Sequence, residues 1–287
     1  MQRCRIALAQ MNSVADLKEN LDNAERLIIE AGHQGADLIV LPECFASFGG
    51  GSVAEVAKTI EQAGVIARLS SLSARHGVWL VAGTLPMVED GNPDIRAFSR
   101  CLVFDSQGRE VSYYDKVHLF DVDVADTTGR YRESSDYQPG QHLSLIDTPW
   151  GKLAPLVCYD LRFPELFKAL ALNGAEIICL PSAFTAVTGQ AHWEPLIRAR
   201  AIENALYVLA VNQCGQTGSR KTWGHSMVVD PWGEICACAG DDVELVLVDL
   251  RPDTLVKARE SIPSLNHHKL ATGWYPLPVR TNDPNGS

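Results

Sequence analysis

The chain predicts an α/β domain in which two packed sheets carry their helices on the outside. Short apolar, β-branched runs alternate with longer amphipathic stretches, the pattern of alternating strands and helices. The second half then repeats motifs of the first in the same order. At 287 residues the chain can bury one large core.

Residues 5–10 read as a strand. Residues 17–32 read as a helix, because Leu21, Ala24, Leu27, Ile28 and Ala31 recur on one face at helical spacing. Residues 36–41 form the next strand, and 53–76 a helical stretch interrupted near Gly64. Residues 78–85 are again extended. Residues 101–105 and 110–114 flank Ser106-Gln107-Gly108-Arg109, which predicts a hairpin. Residues 121–140 are polar and without a clear period, so they read as a long loop of the kind that usually serves function or is disordered.

The repeat then begins. Gly35-Ala36-Asp37-Leu38-Ile39-Val40-Leu41-Pro42-Glu43 is echoed by Gly174-Ala175-Glu176-Ile177-Ile178-Cys179-Leu180-Pro181-Ser182. Leu102-Val103-Phe104-Asp105 is echoed by Met227-Val228-Val229-Asp230, each with its turn, and 77–85 corresponds to 205–213. A pseudo-two-fold between the halves would bring their strand ends together at the seam between the sheets.

A net charge of −10 argues against a nucleic-acid binder. No run approaches the roughly 20 apolar residues of a membrane span, and no secretory signal pattern opens the chain. The eight cysteines are scattered and mostly lie in apolar runs, as small core residues of a reducing, cytoplasmic setting do. Cys236-Ala237-Cys238 lacks a second ligand pair at zinc spacing, so no metal site is expected.

Three chemistry-bearing side chains sit at strand ends: Glu43 after Leu38-Ile39-Val40-Leu41-Pro42, Lys116 after Tyr113-Tyr114-Asp115, and Cys158 after Leu153-Ala154-Pro155-Leu156-Val157. Open α/β sheets bind ligands at such ends. A thiol with an ordinary pKa of about 8.5 needs a base or a nearby cation to act as a nucleophile. Glu43 would take the proton and return it to a leaving amine. Lys116, with a backbone N–H just after Cys158, would stabilise the oxyanion. Glu133, in the polar loop, would orient Lys116 and share proton transfer. Each also has a plainer reading: a buried thiol, a helix-start carboxylate, a solvated ion pair. His118 and His225 show no orienting partner in their motifs and read as structural or pocket-lining.

Together, Leu41-Pro42-Glu43, Tyr114-Asp115-Lys116-Val117-His118-Leu119 and Cys158-Tyr159-Asp160-Leu161-Arg162-Phe163-Pro164-Glu165 resemble the nitrilase superfamily of carbon–nitrogen hydrolases. The resemblance runs from about residue 5 to residue 268. It implies a four-layer αββα sandwich, a Glu–Lys–Cys triad at Glu43, Lys116 and Cys158 with Glu133 as an additional glutamate, and Tyr159 as oxyanion donor. It also implies no cofactor and a homodimer or larger assembly. We therefore expect a single domain over 1–268 and a C-terminal tail over 269–287 that packs at a dimer interface.

Within the superfamily, Pro181-Ser182-Ala183-Phe184-Thr185, Thr188-Gly189-Gln190-Ala191-His192-Trp193-Glu194 and Gly224-His225-Ser226-Met227 are similar to the deaminated-glutathione amidase branch. The implied substrate is a small anionic amide; the alternatives are an ω-amidase acting on 2-oxoglutaramate or 2-oxosuccinamate and, behind it, a non-catalytic binding protein on the same fold. Phe184, Thr185 and Trp193 would shape its pocket or serve core packing and the helix start. Arg162 would meet a carboxylate or, more simply, bridge Glu165 or Asp160. Arg130, Arg132 and Lys221 could close over an anion or stay solvated. Two segments depart from the branch: 125–131 lacks its usual Pro-Gly, and Asn266-His267-His268-Lys269-Leu270 replaces its usual ending.

Overall fold

A computed structural model describes residues 2–88, 96–269 and 277–282. The first half builds β1 (Cys4–Gln10), β2 (Leu38–Leu41), β3 (Trp79–Ala82), β4 (Leu85–Met87), β5 (Phe98–Phe104) and β6 (Glu110–Asp115). Between β1 and β2 lies α1 (Leu17–His33), and before β3 come α2 (Val53–Gln62) and α3 (Val65–His76). A ribbon of β7 (Asp121–Asp123) and β8 (Arg130–Arg132) follows.

The second half builds β9 (Leu143–Thr148), β10 (Gly151–Pro155), α4 (Pro164–Leu172), β11 (Ile177–Ser182), α5 (Ala186–Asn204) and β12 (Tyr207–Asn212). A second ribbon, β13 (Gln216–Thr217) and β14 (Arg220–Lys221), precedes β15 (Met227–Val229) and β16 (Ile235–Cys238). Then β17 (Glu244–Leu250) returns to the first sheet, and α6 (Pro252–Ser261) and β18 (Val279–Thr281) end the described chain.

The repeat is visible in the pairing. In the first sheet β1, β2 and β3 run parallel, and β5 then pairs antiparallel to β3 and to β6. In the second, β10, β11 and β12 run parallel, and β15 pairs antiparallel to β12 and to β16. Each first strand gains an antiparallel neighbour on its outer side, β17 for β1 and β9 for β10.

Alternation along the strands sorts the two faces. Ile6, Leu8, Leu38 and Val40 join the core shared with Leu156, Ile178 and Leu180, whereas Ala7, Ala9, Ile39 and Leu41 pack against Leu21, Leu27, Ile28 and Leu69 of α1 and α3. Helices therefore cover the outer faces, and the two inner faces meet. This is the four-layer αββα arrangement. The predicted helix over 53–76 divides at Gly64, whose φ of 62° ends one helix and opens the next.

Three segments differ from expectation. The extended run 78–85 breaks between β3 and β4 at Gly83, where a Cβ would lie 2.0 Å from the Pro42 carbonyl oxygen. The loop 121–140 contains the β7–β8 ribbon, because strands three residues long leave no readable period. The tail does not simply leave the domain at 268: β18 pairs parallel with β9 and extends the second sheet, and Asn282 hydrogen-bonds Asp147. The rest of the predicted tail, 270–276 and 283–287, lies outside the described residues. Among the described residues no helix is long and apolar enough to cross a membrane.

Candidate active site

Where the carboxyl ends of β2 and β10 meet, Glu43, Lys116, Glu133 and Cys158 line one cavity of about 530 Å³. Glu43 follows β2 through Pro42. Its carbonyl accepts from Gln213 Nε2 (3.0 Å), which also donates to Ser13 Oγ (2.8 Å), so the second half holds the first half's carboxylate in place. Lys116 follows β6, and its N–H pairs with the Ser99 carbonyl on the neighbouring β5 (3.0 Å).

The Lys116 ammonium is 2 % exposed. It donates to Glu43 Oε1 at 2.7 Å and to both Glu133 oxygens at 2.8 and 3.0 Å. Burial pulls the ammonium's pKa down, but Glu133 and Glu43 outweigh that pull and hold it well above its ordinary value. Glu133 sits just beyond β8, where the Phe120 N–H donates to it at 2.6 Å. Burial lifts the Glu133 carboxyl above its usual range; Lys116 opposes the lift and Glu43 adds to it.

Cys158 opens a 3₁₀ turn over Cys158–Arg162 with φ 44°. That left-handed conformation is costly for a non-glycine residue and marks a position over-determined by its surroundings. The surroundings are those of Asp160, which is fully buried. Its carboxylate accepts from the Val157 N–H (2.9 Å), the Tyr114 hydroxyl (2.8 Å) and the His118 N–H (3.1 Å). Burial and then the Glu43 charge push the Cys158 thiol well above its ordinary pKa, while Lys116 and the Ala183 N–H pull the other way. The resting sulfur is thus a thiol with a carboxylate and an ammonium beside it. Tyr159, the next residue in the turn, lines the same cavity.

The sequence-predicted pocket residues divide. Tyr159, Arg162, Phe184 and Thr185 line the same cavity, and Thr185 also caps α5 by accepting from the Thr188 N–H (3.4 Å). Trp193 does not reach it. That ring is fully buried behind Phe184, centroids 5.0 Å apart, and its Nε1–H is held by the His225 carbonyl (2.8 Å). Trp193 is therefore packing support for the pocket wall.

Arg162 bridges neither Asp160 nor Glu165. Its Nη1 lies 3.2 Å from His192 Nδ1, and its guanidinium lies over Phe184 and Tyr159. His118 does have an orienting partner, contrary to the motif reading. Its Nδ1 is 2.9 Å from Asp160 Oδ1, and its ring stacks on Phe163 at 3.5 Å. The pairing was hidden because it spans 42 residues. The structure also adds lining residues not singled out from sequence, among them Phe48, Tyr137 and Arg220. Gly215 before Arg220's ribbon and Gly218 in its turn were the available signal, since glycines so placed mark a turn between extended segments. Among the described residues no group of three His, Cys, Asp or Glu side chains could hold a metal ion.

Comparison with known proteins agrees with this architecture. The carbon–nitrogen hydrolase family model matches residues 5–260. A deaminated glutathione amidase of Yersinia enterocolitica is 43% identical over 96% of this chain and 96% of that protein. The omega-amidase NIT2 of Danio rerio is 38% identical over 92% of this chain and 94% of its own length. The crystal structure of the C. elegans NitFhit protein superposes with a TM-score of 0.87 at 36% identity, covering 93% of this chain and 65% of that longer one. The chain belongs to the carbon–nitrogen hydrolase family of the nitrilase superfamily and is a hydrolase of carbon–nitrogen bonds other than peptide bonds.

Proposed function

We propose that the enzyme hydrolyses the amide of deaminated glutathione, releasing 2-oxoglutarate and cysteinylglycine, through a thioester on Cys158. The observation that carries this reading is the Glu43–Lys116–Glu133 cluster, its ammonium buried, beside the Cys158 thiol in one cavity. The 43% identity to a named deaminated glutathione amidase supplies the substrate.

In this reading Cys158 Sγ attacks the amide carbon as Glu43 accepts the thiol proton. A bond forms from sulfur to carbon, and the carbonyl π electrons move to oxygen. Lys116 Nζ and the Tyr159 N–H stabilise that oxyanion. Collapse expels the amine, to which Glu43 returns the proton. Water, deprotonated by the same carboxylate, then attacks the thioester and frees the acid. Glu133 positions Lys116 and offsets its charge throughout. A reducing, cytoplasmic setting suits free thiols of this kind, and we read the enzyme as a homodimer or larger assembly, as the superfamily resemblance implies.

The relative named omega-amidase gives a second reading, in which 2-oxoglutaramate loses ammonia. The two share an acyl half and differ in the leaving group. Steady-state assays of cysteinylglycine and ammonia release on the purified protein separate them: kcat/KM is expected to favour deaminated glutathione, and a large preference for 2-oxoglutaramate would overturn the choice. Replacement Cys158→Ala is expected to lower turnover at least about a thousandfold and to abolish the acyl adduct seen by mass spectrometry. Undiminished turnover would remove Cys158 as nucleophile.

A further inference from the structure

The chain carries a net charge of −10, yet the cavity wall has the opposite balance. Apart from Glu43, Lys116 and Glu133, its charged lining consists of Arg130, Arg132, Arg162, Arg220 and Lys221 against Asp136 alone. Arg132 is committed to Asp123 at 3.0 Å. Arg162 stands over Tyr159, the residue after Cys158, with His192 at 3.2 Å. Arg130 and Arg220 are exposed while lining the same cavity as the buried triad, so they mark its solvent end. Neither has a carboxylate partner among the described residues.

Their placement is built rather than incidental. The Arg220 guanidinium lies 5.5 Å from the Phe48 ring centroid and 5.8 Å from that of Tyr131, held between two aromatic faces. Tyr131 is fixed in turn, its hydroxyl donating to Asp126 Oδ2 at 2.8 Å. The turn of the β7–β8 ribbon, which bears Arg130, meets that of the β13–β14 ribbon, which bears Arg220, through Thr128 Oγ1 and Ser219 Oγ at 3.1 Å. Two ribbons from different halves of the chain thus present two unpaired guanidinium groups at one mouth. A guanidinium stacked on rings keeps its N–H edge free for a planar anion.

We infer that Arg220 and Arg130 form an anion subsite for a carboxylate carried by the amine leaving group, distant from the acyl half. This rests on the amidase reading above and deepens it. The site would accept an amine that ends in a carboxylate one or two residues beyond the scissile bond. Free ammonia has no such group. The subsite therefore concerns which leaving group is selected, while the acyl half is left to the residues around Cys158.

The test compares deaminated glutathione with the same molecule whose terminal glycine carboxylate is a carboxamide, reading kcat/KM for cysteinylglycine or its amide. Wild type is expected to prefer the carboxylate by about tenfold to a hundredfold. In Arg220→Ala, and more weakly in Arg130→Ala, that ratio is expected to fall towards one, and Arg220→Lys is expected to recover part of it. Structural damage would lower both substrates together and leave the ratio intact. A ratio near one in wild type, or an unchanged ratio in both alanine variants, overturns the subsite while the amidase reading stands. A wild type that cleaves neither dipeptide amide but deaminates 2-oxoglutaramate overturns the amidase reading and the subsite with it.

Discussion

At the scale of single residues, the decisive feature is one ammonium gripped by two carboxylates. Lys116 is 2 % exposed, and burial alone would drive its proton off. Glu133 opposes that loss most strongly and Glu43 next. The pair of glutamates thus keeps Lys116 cationic, and in the proposed mechanism that cation meets the developing oxyanion where water is scarce and the charge is correspondingly effective. Replacing Glu133 with Gln removes the larger counter-charge, and burial then meets one carboxylate instead of two. The alkaline limb of the pH–kcat/KM profile is expected to descend at lower pH in Glu133→Gln than in wild type. If the limb does not move, Glu133 does not hold the Lys116 proton. The same replacement should lower kcat more than it raises KM, because the lost contact is to a group acting on the transition state.

At the scale of elements, the nucleophile turn is shaped by a carboxylate that touches no substrate. Asp160 ties the end of β10 to β6 through Val157, Tyr114 and His118, and so sustains the 44° φ of Cys158. Asp160→Asn puts an amide NH₂ among groups that already donate and leaves a buried donor or acceptor unmatched. It is expected to destabilise the fold by about 1–3 kcal/mol and to lower kcat. Unchanged melting temperature and kcat would show that the turn needs no such anchor.

Such ties also decide what could be read beforehand. The strand ends before Glu43 and Cys158 were legible because an apolar run stopping at a reactive side chain is local information. The repeat was legible because each half carries its own turn residues. Asp160–His118 and Gln213–Glu43 were not, since they join positions 42 and 170 residues apart. The β7–β8 and β13–β14 ribbons were missed because strands of two or three residues show no alternation. The two readings of Trp193, pocket wall or core, stayed open because a helix residue near a pocket motif can as easily face the core behind it, where Phe184 meets its ring.

At the scale of the whole molecule, the packed sheets bury ionisable groups in the forms that carry no isolated charge, and that choice fixes how the fold responds to alkali. Cys101 and Cys179 are fully buried, and burial first raises both thiols above the ordinary thiol value, with Asp115 adding to it at Cys101 and the neighbouring thiols of Cys101 and Cys4 at Cys179. Burial and then Asp160 raise the Tyr114 hydroxyl in the same way, and its two carboxylates hold Lys116 protonated. All four groups keep their protons in the folded protein to higher pH than in the unfolded chain. Below about pH 7.5 both states are protonated at the thiols, and the stabilisation is fully present. As pH rises through about 8.5 the unfolded thiols ionise first, the unfolded chain binds fewer protons, and unfolding stability must fall. Each such group can remove about 1.4 kcal/mol per pH unit until it ionises in the folded state. The melting temperature is therefore expected to hold between about pH 7 and 7.5 and then to drop by about 5 °C or more by pH 10.5. Cys101→Ala should shallow the decline by removing one of the linked protons. A melting temperature that stays level to pH 10.5 would mean that these groups titrate alike in both states, and that the interior between the sheets is far wetter than its packing implies.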